Sequence, residues 1–167
     1  MYASALCAER LSSMVSSKAK PQMALRMRAL RMLARREYSR HELACKLAPL
    51  TENPEEIREL LDDFERRGWL SESRVVEQVL ASRRRRFGAQ RIAHELREKG
   101  VSEPAIVNAQ QQLKASELGA AQAIWMKKFG RLPRNANERA RQVRFMQSRG
   151  FTLETVLRII KHGRDED

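Results

Sequence analysis

Tyr38, Leu43, Leu47, Ile57 and Phe64 are each answered 49 residues later by an aromatic or aliphatic residue: Phe87, Ile92, Leu96, Ile106 and Leu113. No gap is needed. A further shift of 50 residues carries Leu96 to Met146, Gly100 to Gly150, Val101 to Phe151, Ser102 to Thr152 and Ile106 to Val156. Self-similarity at this period marks a repeat array in which each repeat is one supersecondary unit. The later units share a helix, a Gly, an apolar residue, a Ser or Thr cap and a second helix. The chain therefore reads as all-α, with three tandem three-helix units at about 22–70, 71–115 and 116–163. An N-terminal tail (1–21) and a short C-terminal one (164–167) flank them. Units this small bury little surface alone, so neighbours are expected to stack into an elongated, curved solenoid of helix-turn-helix-like repeats.

Local signals agree with that division. Pro21 suits a first helical position, and Met23, Met27, Leu30 and Ala34 follow at helical spacing. Ser39-Arg40-His41-Glu42 has the form of a capping box, in which hydroxyl and carboxylate reciprocally satisfy free backbone N–H groups. Asn53 and Pro54 open the next helix, Ile57, Leu60, Leu61 and Phe64 share one of its faces, and Gly68 ends it. The least regular linker runs from Gly130 to Asn137, and the helix beyond it is expected to open at Asn135 or Asn137. Only seven Gly and five Pro interrupt the 167 residues, which suits helix throughout.

Charge narrows the partner. Thirty-three Lys and Arg against 21 Asp and Glu leave +12, an excess that favours nucleic acid or an acidic protein face. Two cysteines, Cys7 and Cys45, make no disulfide framework, so a reducing, cytoplasmic setting is expected. Glu9 and Arg10 interrupt the apolar stretch near the N-terminus, unlike a signal peptide, and no run reaches the roughly 18 apolar residues of a membrane span. No Gly-rich loop followed by Lys-Ser/Thr is present to hold a triphosphate, and neither cysteine has a recognisable His partner for nucleophilic chemistry. No enzyme activity and no cofactor are expected. His41 and Cys45 share a helix face, yet they fall on Gln90 and His94 in the repeat register, and no third ligand follows. A metal site is therefore not expected.

Three motifs carry a family resemblance. Tyr38-Ser39-Arg40-His41-Glu42-Leu43 with Leu47 resembles the first repeat of RecX proteins. Phe87-Gly88 with Ile92, Glu95-Leu96 and Gly100-Val101 resembles their second. Arg144-Phe145-Met146-Gln147-Ser148-Arg149-Gly150-Phe151 is similar to their third, with Met146 where the family usually has Leu. The match spans about 22–163. The resemblance implies a monomeric, cytoplasmic regulator that binds RecA nucleoprotein filaments, restrains their recombinase, ATPase and coprotease activities, and so modulates recombinational DNA repair and the SOS response. It also implies weak, non-specific contact with single- or double-stranded DNA.

The residues expected to meet filament or DNA are the run Arg83, Arg84, Arg85 and Arg86, together with Lys127, Lys128, Arg139, Arg141, Arg144 and Arg149. Guanidinium groups suit phosphate through paired hydrogen bonds, although cations at a helix C-terminus also stabilise the helix alone. On one continuous helix Arg141 and Arg144 share a face while Arg139 points nearly opposite. The acidic set Glu52, Glu55, Glu56, Glu59, Asp62, Asp63 and Glu65 makes the third helix of the first unit a poor phosphate binder and a candidate protein contact. Tyr38, Phe64, Trp69, Phe87, Trp125, Phe145 and Phe151 read as core. The competing class is a helix-turn-helix transcription factor, since Gly100 with Ile106 and Gly150 with Val156 have its turn spacing. Ser102-Glu103-Pro104-Ala105 and Thr152-Leu153-Glu154-Thr155 offer little to base edges. A nucleic-acid packaging protein would carry fewer acids.

Overall fold

The computed structural model describes residues 22–162. The expectations for Pro21, Cys7 and both tails lie outside the described residues. Among the described residues there are eight α-helices, one 3-10 turn and no strand. The helices are α1 (22–33), α2 (Arg40–Leu47), α3 (Pro54–Arg66), α4 (Glu72–Arg83), α5 (Ala89–Glu98), α6 (Glu103–Lys128), α7 (Ala136–Ser148) and α8 (Leu153–His162). Two compact units hold them, Met1–Ser71 and Glu72–Asp167.

In the first unit α1, α2 and α3 close over Leu25, Ala29, Leu43, Leu47, Ile57, Leu61, Phe64 and Leu70. The phase of α1 differs from the expected stripe. Leu25 and Ala29 face the core, while Met23 and Met27 are 61% and 43% exposed. Apolar residues occur almost all round this helix, so spacing alone could not choose a face. Arg26 helps to set it, with its guanidinium 2.9 Å from Asp63 and lying over the rings of Phe64 and Trp69 at 5.3 and 5.4 Å. The capping box of α2 forms as written. Glu42 N donates to Ser39 Oγ at 3.0 Å and Ser39 N donates to the Glu42 carboxylate at 3.2 Å. Ser39 is itself buried. Ser39→Ala should therefore cost about 1 kcal/mol, read as a fall of roughly 2–4 °C in the thermal midpoint.

The acids of α3 are mostly answered inside this unit. Arg40 bridges Asp62 and Glu65, each at 2.6 Å. Asp63 meets Arg67 at 2.8 Å and Arg26 at 2.9 Å, and Glu55 pairs with Arg58. Hydrogen bonds from Arg67 first and Arg26 second hold the Asp63 carboxyl below its ordinary range. Neutralisation by these arginines leaves α3 less acidic, as a surface, than its composition.

The second compact unit contains two cores. One gathers Val75, Val79, Ile92, Leu96, Ile106 and Leu113; the other gathers Ala121, Trp125, Met146, Phe151, Val156 and Ile160. Every aliphatic pair matched by the shifts of 49 and 50 residues is buried in its own cluster. Helix α6 serves both cores without a break. Its 26 residues include positions 115 and 116, between which the sequence reading divided the second unit from the third. Turn glycines Gly100 and Gly150 have φ of 72° and 85°. Asn135 opens α7, its Oδ1 accepting from Glu138 N at 2.8 Å. Thr152 caps α8 by accepting from Thr155 N at 3.1 Å. Ser102 does not cap α6 with its side chain. Its hydroxyl and its backbone N both donate to the Glu72 carboxylate, at 2.8 and 2.7 Å.

Gly88 and Gly150 lock these two cores together. Helix α5 has no side-chain cap at Gly88. Its first N–H groups are satisfied from elsewhere: Gly88 N donates to Arg149 O at 2.9 Å, Gln90 N to Gly150 O at 3.3 Å, and Ala89 N to Glu117 at 3.0 Å. A Cβ on Gly88 would lie 2.3 Å from Gly150 O, and one on Gly150 would lie 2.4 Å from Arg91 N. In the repeat register Gly88 stands where the first unit has the capping Ser39. Loss of the side chain is what lets the α7–α8 turn seat on α5.

Candidate functional site

The Arg83–Arg86 run leaves the end of α4 and turns towards α5. Arg83 is engaged within the fold: its Nε and Nη2 donate to the Glu95 carboxylate at 2.9 and 3.2 Å. It clamps α4 to α5. Arg84 and Arg85 are exposed in the turn. Arg86 begins a different arrangement, because its carbonyl accepts from Arg149 Nη1 at 3.3 Å, across 63 residues of sequence.

Phe87 is the centre of that arrangement. The guanidinium carbons of Arg86, Arg91 and Arg149 each lie 6.0 Å from its ring centroid. Arg149 is also 4.8 Å from the centroid of Phe145, which Lys128 Nζ approaches at 5.7 Å. Both rings are half-buried. They therefore act as supports under cations as well as packing against the cores, whereas sequence assigned them to the core alone. Each such contact stabilises by about 0.5–1 kcal/mol at an exposed site. None of Arg86, Arg91, Arg149 and Lys128 has a carboxylate within salt-bridge distance among the described residues. Four cations thus gather about two rings, with no side-chain ion pair to a described carboxylate.

Helix α7 continues it. Arg141, Arg144 and Phe145 fall on neighbouring positions of one face, with Arg141 and Arg144 exposed. Lys128, Arg131 and Arg141 line a depression of about 250 Å³ with Phe129, Glu138 and Gln142. Buried Gln142 fixes its wall: it accepts from Trp125 Nε1 at 2.9 Å and donates to Arg131 O at 3.2 Å. Arg131 is drawn to Glu138 at 3.7 Å. Lys127 is exposed, roughly 100° around α6 from Lys128. Arg139 lies apart, on the other side of α7, beside Leu157, Ile160 and Lys161.

Of the ten residues expected from sequence, the structure brings Arg86, Lys128 and Arg149 onto the two rings and sets Arg141 and Arg144 beside them. Arg83 and Arg139 do not join. Sequence reasoning missed Arg91, although the 50-residue shift places it on Arg141 and so offered a signal. Cys45 Sγ and His41 Nε2 are 3.7 Å apart and exposed. Among the described residues no group of three or more His, Cys, Asp or Glu could hold a metal, and no helix is long and apolar enough to cross a membrane.

Three family models match the chain in order: the first three-helix domain of RecX over residues 26–64, the second over 71–109 and the third over 115–160. The regulatory protein RecX of Leptothrix cholodnii is 46% identical over 151 residues, covering 89% of this chain and 96% of the relative. That of Ralstonia nicotianae is 45% identical over 139 residues, 83% of this chain and 87% of its own. The crystal structure of RecX from Lactobacillus salivarius superposes with a TM-score of 0.75 at 15% identity, over 86% of this chain and 97% of that one. At that identity the likeness speaks for the fold.

Proposed function

Because the chain belongs to the RecX family, we propose that it binds RecA nucleoprotein filaments and restrains their ATP hydrolysis, strand exchange and coprotease activity. The observation that carries this is the convergence of Arg86, Arg91, Arg149 and Lys128 on Phe87 and Phe145. A surface of unpaired cations suits a filament, which offers phosphates and acidic protein side chains together. Arg84, Arg85, Lys127, Arg141 and Arg144 extend the contact; Arg83 serves the fold. No chemistry is required of the chain. It acts by binding one state of the filament more tightly than another, which is all a ligand needs to shift an assembly. In this reading it works in the cytoplasm as a monomer, within recombinational repair and the SOS response.

Co-sedimentation with RecA filaments on single-stranded DNA tests the proposal. The protein should pellet with the filament and lower DNA-dependent ATP hydrolysis at substoichiometric ratios. Absence of inhibition at every ratio, with RecA from the same organism, would overturn the function. Naked DNA should be bound weakly, with little sequence preference and strong salt dependence, each phosphate contact adding about 0.9 to the log–log slope for duplex and roughly 0.7 for single strands. A tight operator with a shallow slope would instead favour the helix-turn-helix regulator.

A further inference from the structure

On the side of α7 away from Arg141 and Arg144, α7 and α8 leave an open groove. Ala140, Val143, Leu153 and Leu157 form its apolar floor, with Arg134 and Arg139 at the edge, in a volume of about 610 Å³. A second concavity of about 310 Å³, sharing Arg139 and Leu157, continues it to Ile160 and Lys161. Leu153 stands 48% exposed at the start of α8. No Asp or Glu lines either concavity. Arg134, Arg139 and Lys161 have no side-chain ion pair with any described residue.

We propose that this groove is a docking site for an acidic, leucine-bearing segment of a partner protein. An aliphatic floor is satisfied by aliphatic side chains, which leave water on entering it. Three unpaired cations along the rim select carboxylates flanking those side chains. Nucleic acid fits less well: no aromatic ring lines the groove for a base to stack on, and phosphates would lose water over an apolar floor without compensation. A second copy of this chain is opposed by the +12 that each copy carries. The groove also gives Arg139 a role apart from the ring-bound cations, so the proposal is independent of RecA regulation.

The full chain should be titrated, by fluorescence anisotropy, into a labelled 12-residue helical peptide with Leu on one face and Glu on the others. A peptide with Ser at every Leu and a single-stranded 12-mer oligonucleotide serve as comparisons. The Glu/Leu peptide should bind, and the Ser peptide should bind about tenfold more weakly or worse. Arg139→Glu with Lys161→Glu should weaken the Glu/Leu peptide about tenfold, and Leu153→Ser should weaken it independently. Leu153 and both cations are exposed, so circular dichroism should be unchanged. Equal affinity for the two peptides, or indifference to both sets of substitutions, would overturn the proposal. Displacement of the peptide by an equimolar oligonucleotide would make the groove a nucleic-acid surface and overturn it as well. Tighter peptide binding after removal of residues 163–167, which include Asp165, Glu166 and Asp167, would assign the groove to the chain's own acidic end instead of a partner.

Discussion

The variant Arg86→Gln with Arg149→Gln should retain its helicity and lose most of the proposed inhibition of RecA, with filament affinity falling roughly 10–100-fold. A charged hydrogen bond contributes about 1.5–3 kcal/mol when its partner is present, and each 1.4 kcal/mol is about tenfold in affinity. Within the protein the cost should be small, since the two guanidiniums contact half-exposed rings and one carbonyl, with no buried carboxylate to strand. The matched comparison is Arg28→Gln with Arg31→Gln, two exposed positions on α1. Both variants remove two positive charges, so long-range attraction weakens equally. A difference between them isolates the placement of Arg86 and Arg149 about Phe87 and Phe145. Equal loss of inhibition would mean that bulk charge carries the effect and that the ring-bound cluster is incidental. Adding Arg91→Gln should deepen the loss.

The second large effect is on stability. Gly150→Ala should destabilise the protein by roughly 2–5 kcal/mol, combining left-handed backbone strain with overpacking. That corresponds to a fall of about 4–20 °C in the thermal midpoint for a chain of this size. Its φ is 85°, and the added Cβ would sit 2.4 Å from both the backbone N and the Cβ of Arg91, which cannot swing aside. Gly88→Ala meets only the clash, at 2.3 Å from a carbonyl oxygen, and should cost about 1–3 kcal/mol. Gly68→Ala separates the two causes. Gly68 has φ of 69° with nothing within 4 Å of an added Cβ, so it should show the backbone cost alone, about 1–2 kcal/mol. Since Gly88 and Gly150 meet each other, the double variant should be less than additive. A neutral Gly88→Ala in thermal and denaturant melts would mean that α5 and the α7–α8 turn do not close on each other as described.

These effects divide along the line between what pattern encodes and what docking decides. The cores were legible: Leu43 and Ile92, Leu47 and Leu96, Ile106 and Val156 are matched in sequence and buried in structure. Helical period fixes which residues share a face, and unit length fixes which unit they serve. The caps at Ser39 and Asn53 were legible, and that of α7 was narrowed to Asn135 or Asn137, because each depends on a neighbour within three residues. Helix α1 marks the limit of pattern, since apolar residues surround it and only packing against Phe64 and Asp63 selects Leu25 and Ala29.

The candidate site was legible only as an excess of arginine. A run such as Arg83–Arg86 carries no period that says which guanidinium meets Glu95 and which meets a ring. Exposed cations obey no burial constraint, so local sequence leaves their direction open. The meeting of Arg86 with Arg149 depends on the absence of a side chain at Gly88 and the turn at Gly150, two backbones in contact. Sequence by itself determined the all-helical class, the repeat and most of the core, because those follow from contacts a few residues apart repeated at a fixed interval; it divided α6 in two, since no local signal shows that one helix serves both cores. Helical period already set Arg139 apart from Arg141 and Arg144, but tertiary structure alone decided that Arg86, Arg91, Arg149 and Lys128 stand together while Arg83 meets Glu95, because that follows from where distant backbones touch.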